Sequence, residues 1–140
     1  MAYIDTSVLV AYYCPERLSR SVQKTLGKVR EPAISPLVEV ELYSAVAAKV
    51  RAKELQATAG RRILALFQGH LADGCYGVVP IETAEYRLAL EWIGGFSSPL
   101  RAADGLHLAA AFANDLTLLT ADRVLARSAD HFGVRYKLIA

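Results

Sequence analysis

Cysteine is nearly absent from this chain: Cys14 and Cys75 are the only two, and no Cys-x-x-Cys spacing occurs. That argues against a secreted disulfide framework, and both residues are read as reduced thiols. Long apolar runs are missing too. The run Leu108–Ala113, for example, is broken by Asn114 and Asp115, and none approaches the roughly 18–20 residues a membrane span needs. No signal peptide is expected at this N-terminus, because no basic region precedes the first apolar stretch and Asp5 interrupts it. The expectation is a cytoplasmic protein that begins at or near Met1 and has no membrane association. Internal repeats, low-complexity segments and linkers are also absent.

What remains is a chain able to bury a core. Of its 140 residues 54% are hydrophobic and 21% charged, a balance unlike that of disordered segments. Its length suits one domain spanning residues 1–140.

Short apolar segments alternate with helical ones. Ala2–Ile4, Ala33-Ile34, Tyr76–Ile81, Leu116–Leu119 and Val134–Ile139 read as strands. Between them, helices are expected over about 8–13, 15–29, 36–53, 54–70, 83–93, 99–113 and 123–132. The pairs Ser35-Pro36 and Ser98-Pro99 look like a cap followed by proline in the first turn. Such alternation predicts an α/β fold: a mostly parallel sheet with helices on both faces.

Four acids stand out against this frame. Asp5 follows the first strand, at the edge where open α/β sheets bind ligands; it, Thr6 or Ser7 could equally cap the next helix. Glu41 shares its helical face with Leu37, Val38, Ala45 and Ala48, while Glu39 lies roughly opposite. A carboxylate on an apolar face needs a partner, either a cation or an arginine. Asp104 shares a face with Leu100, Leu108 and Ala111, and a helix capped by Ser98 would put it beyond the first turn. Gly105 beside it suggests close approach of something to the backbone. His107 reads as a packed or surface residue, since no second histidine or cysteine stands at zinc-ligand spacing. Asp122 follows a strand as Asp5 does, and Thr120-Ala121-Asp122 is also a good helix cap.

Buried carboxylates repel one another, and desolvation costs each several kcal/mol (about that order) unless a cation compensates. Acids brought to one edge are therefore most simply a cage for a divalent metal. Oxygen-only ligands favour Mg²⁺ or Mn²⁺ over zinc. Asp5 and Asp104 are the nearest ligands in this reading, with Glu41 and Asp122 holding waters or a second ion. Setting those four aside raises the net charge from +2 to +6, a basic surface around an acidic hole that suits a polyanion. Arg101, Arg123 and Arg127 are candidate phosphate contacts, and Lys49, Arg51, Lys53, Arg61 and Arg62 form a second basic stretch. Ordinary solvated helix surface is the alternative for all of these. Tyr12 and Tyr13 are read as packing residues, with base stacking as the alternative.

The segments Tyr3-Ile4-Asp5-Thr6-Ser7-Val8-Leu9, Ser35 to Glu41-Leu42, Ala103-Asp104-Gly105-Leu106-His107-Leu108-Ala109 and Leu119-Thr120-Ala121-Asp122-Arg123 together resemble a PIN domain. They are most similar to the VapC-type toxins of bacterial and archaeal toxin–antitoxin pairs. The resemblance implies a three-layer α/β/α domain and a metal-dependent ribonuclease with Asp5, Glu41, Asp104 and Asp122 as its acidic quartet. Thr6 and Thr120 become supporting hydroxyls. A small VapB-like antitoxin, a homodimer and an RNA substrate cut to a 5′-phosphate and a 3′-hydroxyl are implied as well. Gly105 departs from the alanine common at its position, and no aromatic closely follows Asp122. Two rivals differ in chemistry. A dehalogenase-like phosphatase also uses a strand-end aspartate but wants a second one where Ser7 stands, and a receiver domain needs an extra acidic pair. A non-catalytic module on the same fold is the other rival.

Overall fold

The computed structural model describes residues 1–140. Five strands, β1 (Ala2–Ile4), β2 (Pro32–Ile34), β3 (Gly77–Val78), β4 (Thr117–Thr120) and β5 (Tyr136–Leu138), form one sheet in the order β3-β2-β1-β4-β5. Every pairing is parallel, with Tyr3 beside Ala33 on one side and Leu118 on the other. The sheet is thus wholly rather than mostly parallel.

Seven helices connect the strands: α1 (Thr6–Tyr13), α2 (Ser19–Leu26), α3 (Pro36–Arg51), α4 (Ala57–Ala72), α5 (Thr83–Gly94), α6 (Ala102–Ala113) and α7 (Arg123–His131). The chain steps from β1 outward through β2 to β3, then returns past β1 to β4 and on to β5. Right-handed crossovers put α1–α4 on one face and α5–α7 on the other. The contacts agree, with α1 against α2 and α3, α3 against α4, and α5 against α6. This is the three-layer α/β/α arrangement.

The central strands carry the core. Tyr3, Ile4, Leu118 and Leu119 are sealed from solvent, and from α3 the residues Val38, Leu42 and Val46 pack inward at spacing of one turn. No helix is long and apolar enough to cross a membrane. Cys14 is buried and Cys75 exposed, both free.

Several boundaries differ from the sequence reading. The second helix begins at Ser19 rather than near Pro15, because Cys14 leaves α1 extended and the Ser19 hydroxyl donates back to the Ala11 carbonyl at 2.7 Å. Strand β3 is only two residues long: the Val79 N–H still reaches Ile34, but Pro80 offers no donor to continue the ladder. Most consequential, Ser98 does not cap α6. Leu100 is drawn into the core, Arg101 is extended at the cap position, and the helix starts at Ala102. Asp104 therefore lies in the first turn, where the positive end of the helix dipole favours a carboxylate.

Candidate functional site

The order of strands reverses at β1 and β4, and the crevice outside their carboxyl ends is where doubly wound sheets bind ligands. Asp5 is the residue after β1, and Asp122 stands two residues beyond β4. Helix α3 starts at the same edge, immediately after β2. Helix α6 ends where the chain enters β4 from the opposite edge, so its first turn also faces this one.

Asp5 is buried and caps α1. Its Oδ1 accepts from the Ser7 hydroxyl at 2.6 Å and the Val8 N–H at 3.2 Å, and its Oδ2 accepts from the Thr120 hydroxyl at 2.5 Å. Two further bonds tie the strand ends together: Ala121 N–H donates to Ser7 Oγ and Asp122 N–H to Thr120 Oγ1, both at 3.0 Å. Burial raises the Asp5 pKa; the Ser7, Thr120 and Val8 donors and the charge of His107 only partly offset it.

Glu41, in the second turn of α3, has 31% of its side chain exposed. Its Oε1 accepts from the Thr6 hydroxyl at 2.7 Å and meets His107 Nε2. The protein partner of this carboxylate is therefore His107 on the facing helix and not an arginine. His107 is itself buried, and its Nδ1 lies 2.7 Å from the Tyr3 hydroxyl, which lies 2.7 Å from Ser35 Oγ. One consistent chain of donors runs Ser35 to Tyr3 to His107 to Glu41. Burial opposes ionisation of Glu41, but the His107 and Thr6 hydrogen bonds outweigh it and its pKa falls below the ordinary value. Ser35 spends its hydroxyl on Tyr3 instead of capping α3.

Asp104 differs from the others in having no hydrogen-bond donor. Its pKa is raised by burial first and by the Asp122 charge next, with Glu41 adding to the rise and His107 and Arg101 opposing it. Asp122 caps α7, its Oδ1 accepting from Val124 N–H at 2.8 Å and Leu125 N–H at 3.2 Å.

These four acids thus share one edge, Asp104 feels the charges of Asp122 and Glu41, and no arginine neutralises any of the four through an ion pair. No three acidic, histidine or cysteine side chains gather into a closed metal cage by themselves. The reason lies in their partners, since Asp5, Glu41 and Asp122 each turn an oxygen toward protein donors.

The basic residues divide. Arg101 occupies the cap position of α6, Arg123 opens α7, and Arg127 follows one turn later, all exposed near the acids. Lys49, Arg51 and Lys53 lie at the end of α3, about 12–18 Å further along its axis than Glu41, and Lys49 is paired with Glu54 at 3.8 Å; Arg61 and Arg62 stand on α4 next to Gly60, which packs against Val46 and Val50 of α3. Tyr13 is buried at the far end of α1, its hydroxyl bonded to His70 and Tyr76 at 2.6 and 2.8 Å, so it packs and presents no face to a base. A cleft of about 550 Å³ opens beside the acids, lined by Thr6, Ser7, Glu16, Arg17 and Ala121 among others. Arg17 carries no local sequence signal, and although Ser7 and Tyr3 stand in the first motif, nothing local gives their contacts to Asp5 and His107.

Several solved structures share this shape, among them a toxin–antitoxin complex from Klebsiella pneumoniae. FitAcB from Neisseria gonorrhoeae superposes with a TM-score of 0.71 at 20% identity, over 97% of this chain and 96% of that one. VapC20 from Mycobacterium tuberculosis, a sarcin–ricin loop cleaving toxin, gives 0.72 at 13% identity over 91% and 95%. VapBC2 from Rickettsia felis, bound to a DNA fragment from its promoter, gives 0.66 at 20% over the whole of both chains. At such identities the likeness establishes the fold. No curated protein matches the chain. The sequence profile of the PIN domain matches residues 2–130, and the chain belongs to the PIN domain family.

Proposed function

We propose that this protein is a metal-dependent endoribonuclease, the toxin of a type II toxin–antitoxin pair, with Asp5, Glu41, Asp104 and Asp122 as its catalytic acids. One observation carries the reading: Asp104 is partly buried beside Asp122 and Glu41 with no hydrogen-bond donor of its own, and its pKa is raised. Unrelieved negative charge built only from carboxylate oxygens fits Mg²⁺ or Mn²⁺. The open spacing of the acids fits too, because magnesium keeps several of its waters and few side chains need touch it.

Asp5 and Asp104 would hold the ion directly, with Asp122 and Glu41 contacting its waters. A cation there would supply a water of lowered pKa and stabilise charge on the phosphoryl group. The chain contributes orientation. Thr6 and His107 occupy Oε1 of Glu41 and leave Oε2 turned free to accept a proton from the attacking water. Its depressed pKa keeps Glu41 ionised at neutral pH. Thr120 and Ser7 lock the Asp5 carboxylate in one rotamer. Water attack leaves a 5′-phosphate and a 3′-hydroxyl. Arg101, Arg123 and Arg127 would meet the RNA backbone.

The neighbours that are toxin–antitoxin complexes support a small VapB-like antitoxin as partner, and a homodimer working in the cytoplasm completes the proposal. Residues 1–140 are taken as one domain. The phosphatase alternative is weakened by Ser7, whose hydroxyl donates to Asp5 where that chemistry wants a second acid. The absence of a closed cage favours, as a second reading, a non-catalytic module of the same fold.

Cleavage of total RNA by purified protein decides between them. Cutting in Mg²⁺ or Mn²⁺ that stops with chelator and with Asp104→Asn supports the nuclease. Equal cutting in chelator, or none under any condition, removes it.

A further inference from the structure

Beside the acidic edge lies a second cleft, of about 440 Å³, between the segment before α6 and one face of α7. Ser98 and Pro99 form one wall, and Val124, Arg127, Ser128 and His131, spaced at helical turns, form the other. Two of its residues connect it to the acids. Val124 donates its N–H to Asp122, and Pro99 lies five residues before Asp104.

The cleft holds a feature found nowhere else in the molecule. Ser128 is 1% exposed, and its Oγ is the single buried side-chain polar atom without a hydrogen-bond partner. Folded proteins leave few such atoms, and each calls for an explanation. The cleft is the opening that this residue lines. Arg127, exposed at the same wall, has no carboxylate within ion-pair distance. At the rim His131 holds Ser97 Oγ at 3.0 Å. The residue before Ser97 is Phe96, which is 91% exposed and has φ of 56°, a left-handed backbone that an aromatic residue rarely adopts. Strain of this kind points to function when it stands next to a site.

We propose that this cleft is a nucleotide subsite: it receives one base of the RNA strand flanking the cut. The Ser128 hydroxyl reads an edge of that base, Pro99 and Val124 form its apolar walls, Arg127 meets the adjoining phosphate, and Phe96 stacks on the next base. The inference rests on the ribonuclease reading and adds to it a position at which sequence is selected. A polar floor, a free guanidinium and an exposed ring together match the face, edge and backbone of a single-stranded nucleotide.

The test uses the full chain and a library of short single-stranded RNAs with every base represented at each position. Two readouts are taken: the base frequencies around the cut with Mg²⁺, and the affinity by fluorescence anisotropy in chelator. Wild type should show a preference at one position next to the cut. Ser128→Ala should flatten that preference about five- to tenfold, as expected for one lost hydrogen bond, and leave the other positions alone. Arg127→Ala should weaken binding of all sequences alike and lower the salt slope by about one. Phe96→Gly relieves the backbone strain, so it should fold at least as stably while binding RNA about tenfold more weakly. Wild-type base frequencies and affinities in all three variants overturn the subsite. If wild type cuts no RNA, the nuclease reading fails by itself, and the anisotropy series still judges the subsite: equal affinities across the variants overturn it.

Discussion

The imidazole of His107, on α6, contacts the carboxylate of Glu41, on α3, joining helices from opposite faces of the sheet. Behind it the Tyr3 hydroxyl holds the other ring nitrogen from β1. Three elements thereby fix one carboxylate, and the geometry does so without any charge from arginine or lysine. His107 is a positioning residue in this scheme, acting on Glu41.

Removing that imidazole should reverse the behaviour of Glu41. In the wild-type fold its lowered pKa means that its ionised form contributes stability above the unfolded value near 4.3, lost as pH falls through the folded value. In His107→Ala the opposing effect of burial is left largely unbalanced, so the pKa should rise above the ordinary range. Carbon-13 titration of the glutamate carboxyls checks this directly, and an unmoved Glu41 would overturn the assignment. The variant should also lose about 1–3 kcal/mol of stability, because the Tyr3 hydroxyl keeps its Ser35 contact but loses its acceptor.

Asp104→Asn should act in the opposite direction. A raised carboxyl pKa favours the protonated form, so this group contributes stability below its unfolded value near 3.9 and that contribution is lost as pH rises through the folded value. At neutral pH the ionised side chain costs stability, and the amide removes the cost without breaking any hydrogen bond. In metal-free buffer at pH 7 the melting temperature should rise by about 2–4 °C. Near pH 3, where both states bind the proton, the difference should vanish (roughly, by linkage). A lower melting temperature at pH 7 would mean that Asp104 has a favourable partner.

These two residues also mark what local sequence could and could not reveal. Asp5 and Asp122 were legible as strand-end acids, because an apolar run followed by Asp or Thr-x-Asp is a signal spanning a few residues. Glu41 was legible from the apolar company on its helical face. Its partner was not: His107 lies 66 residues away, and Tyr3 lies 104 from His107. A lone histidine on an apolar helix carries no mark of a contact closed only by the tertiary fold. The start of α6 was misplaced for a related reason. Ser98-Pro99 has the local chemistry of a helix start, but burial of Leu100 holds the backbone extended and shifts the start to Ala102. That shift moves Asp104 into the first turn, beside the helix dipole. Charge alone likewise does not specify the hydrogen bonds that turn oxygens of Asp5, Glu41 and Asp122 toward the protein.

Divalent cations should stabilise the fold whether or not RNA is present. A ligand at about 100 times its dissociation constant adds about 2.7 kcal/mol, visible as a rise of several degrees in melting temperature. Titration with Mg²⁺ or Mn²⁺ should produce this in wild type, and Asp104→Asn should lose most of it. Asp130→Asn, on the exposed side of α7 and outside the quartet, should respond like wild type. A response shared by all three proteins would show binding elsewhere.

Gly105 provides the last test, of packing rather than charge. A Cβ built there would stand 3.1 Å from Ile93 Cδ1 and 3.3 Å from Ala89 Cβ, so α5 lies against the bare backbone of α6. Alanine would gain roughly 1 kcal/mol in helix propensity, but it must push α5 outward by a few tenths of an ångström, and overpacking costs about 1–3 kcal/mol. Gly105→Ala should therefore be neutral to destabilising by about 1 kcal/mol in urea unfolding, despite the better helix former. Shortening the neighbour separates the two effects. In the Ile93→Val background, the tip that meets the new methyl is gone, and Gly105→Ala should become stabilising relative to that background. The two substitutions should thus be non-additive, as contacting residues are. Additive behaviour would show that the α5–α6 contact leaves room at Gly105, and the close approach would then have no energetic weight.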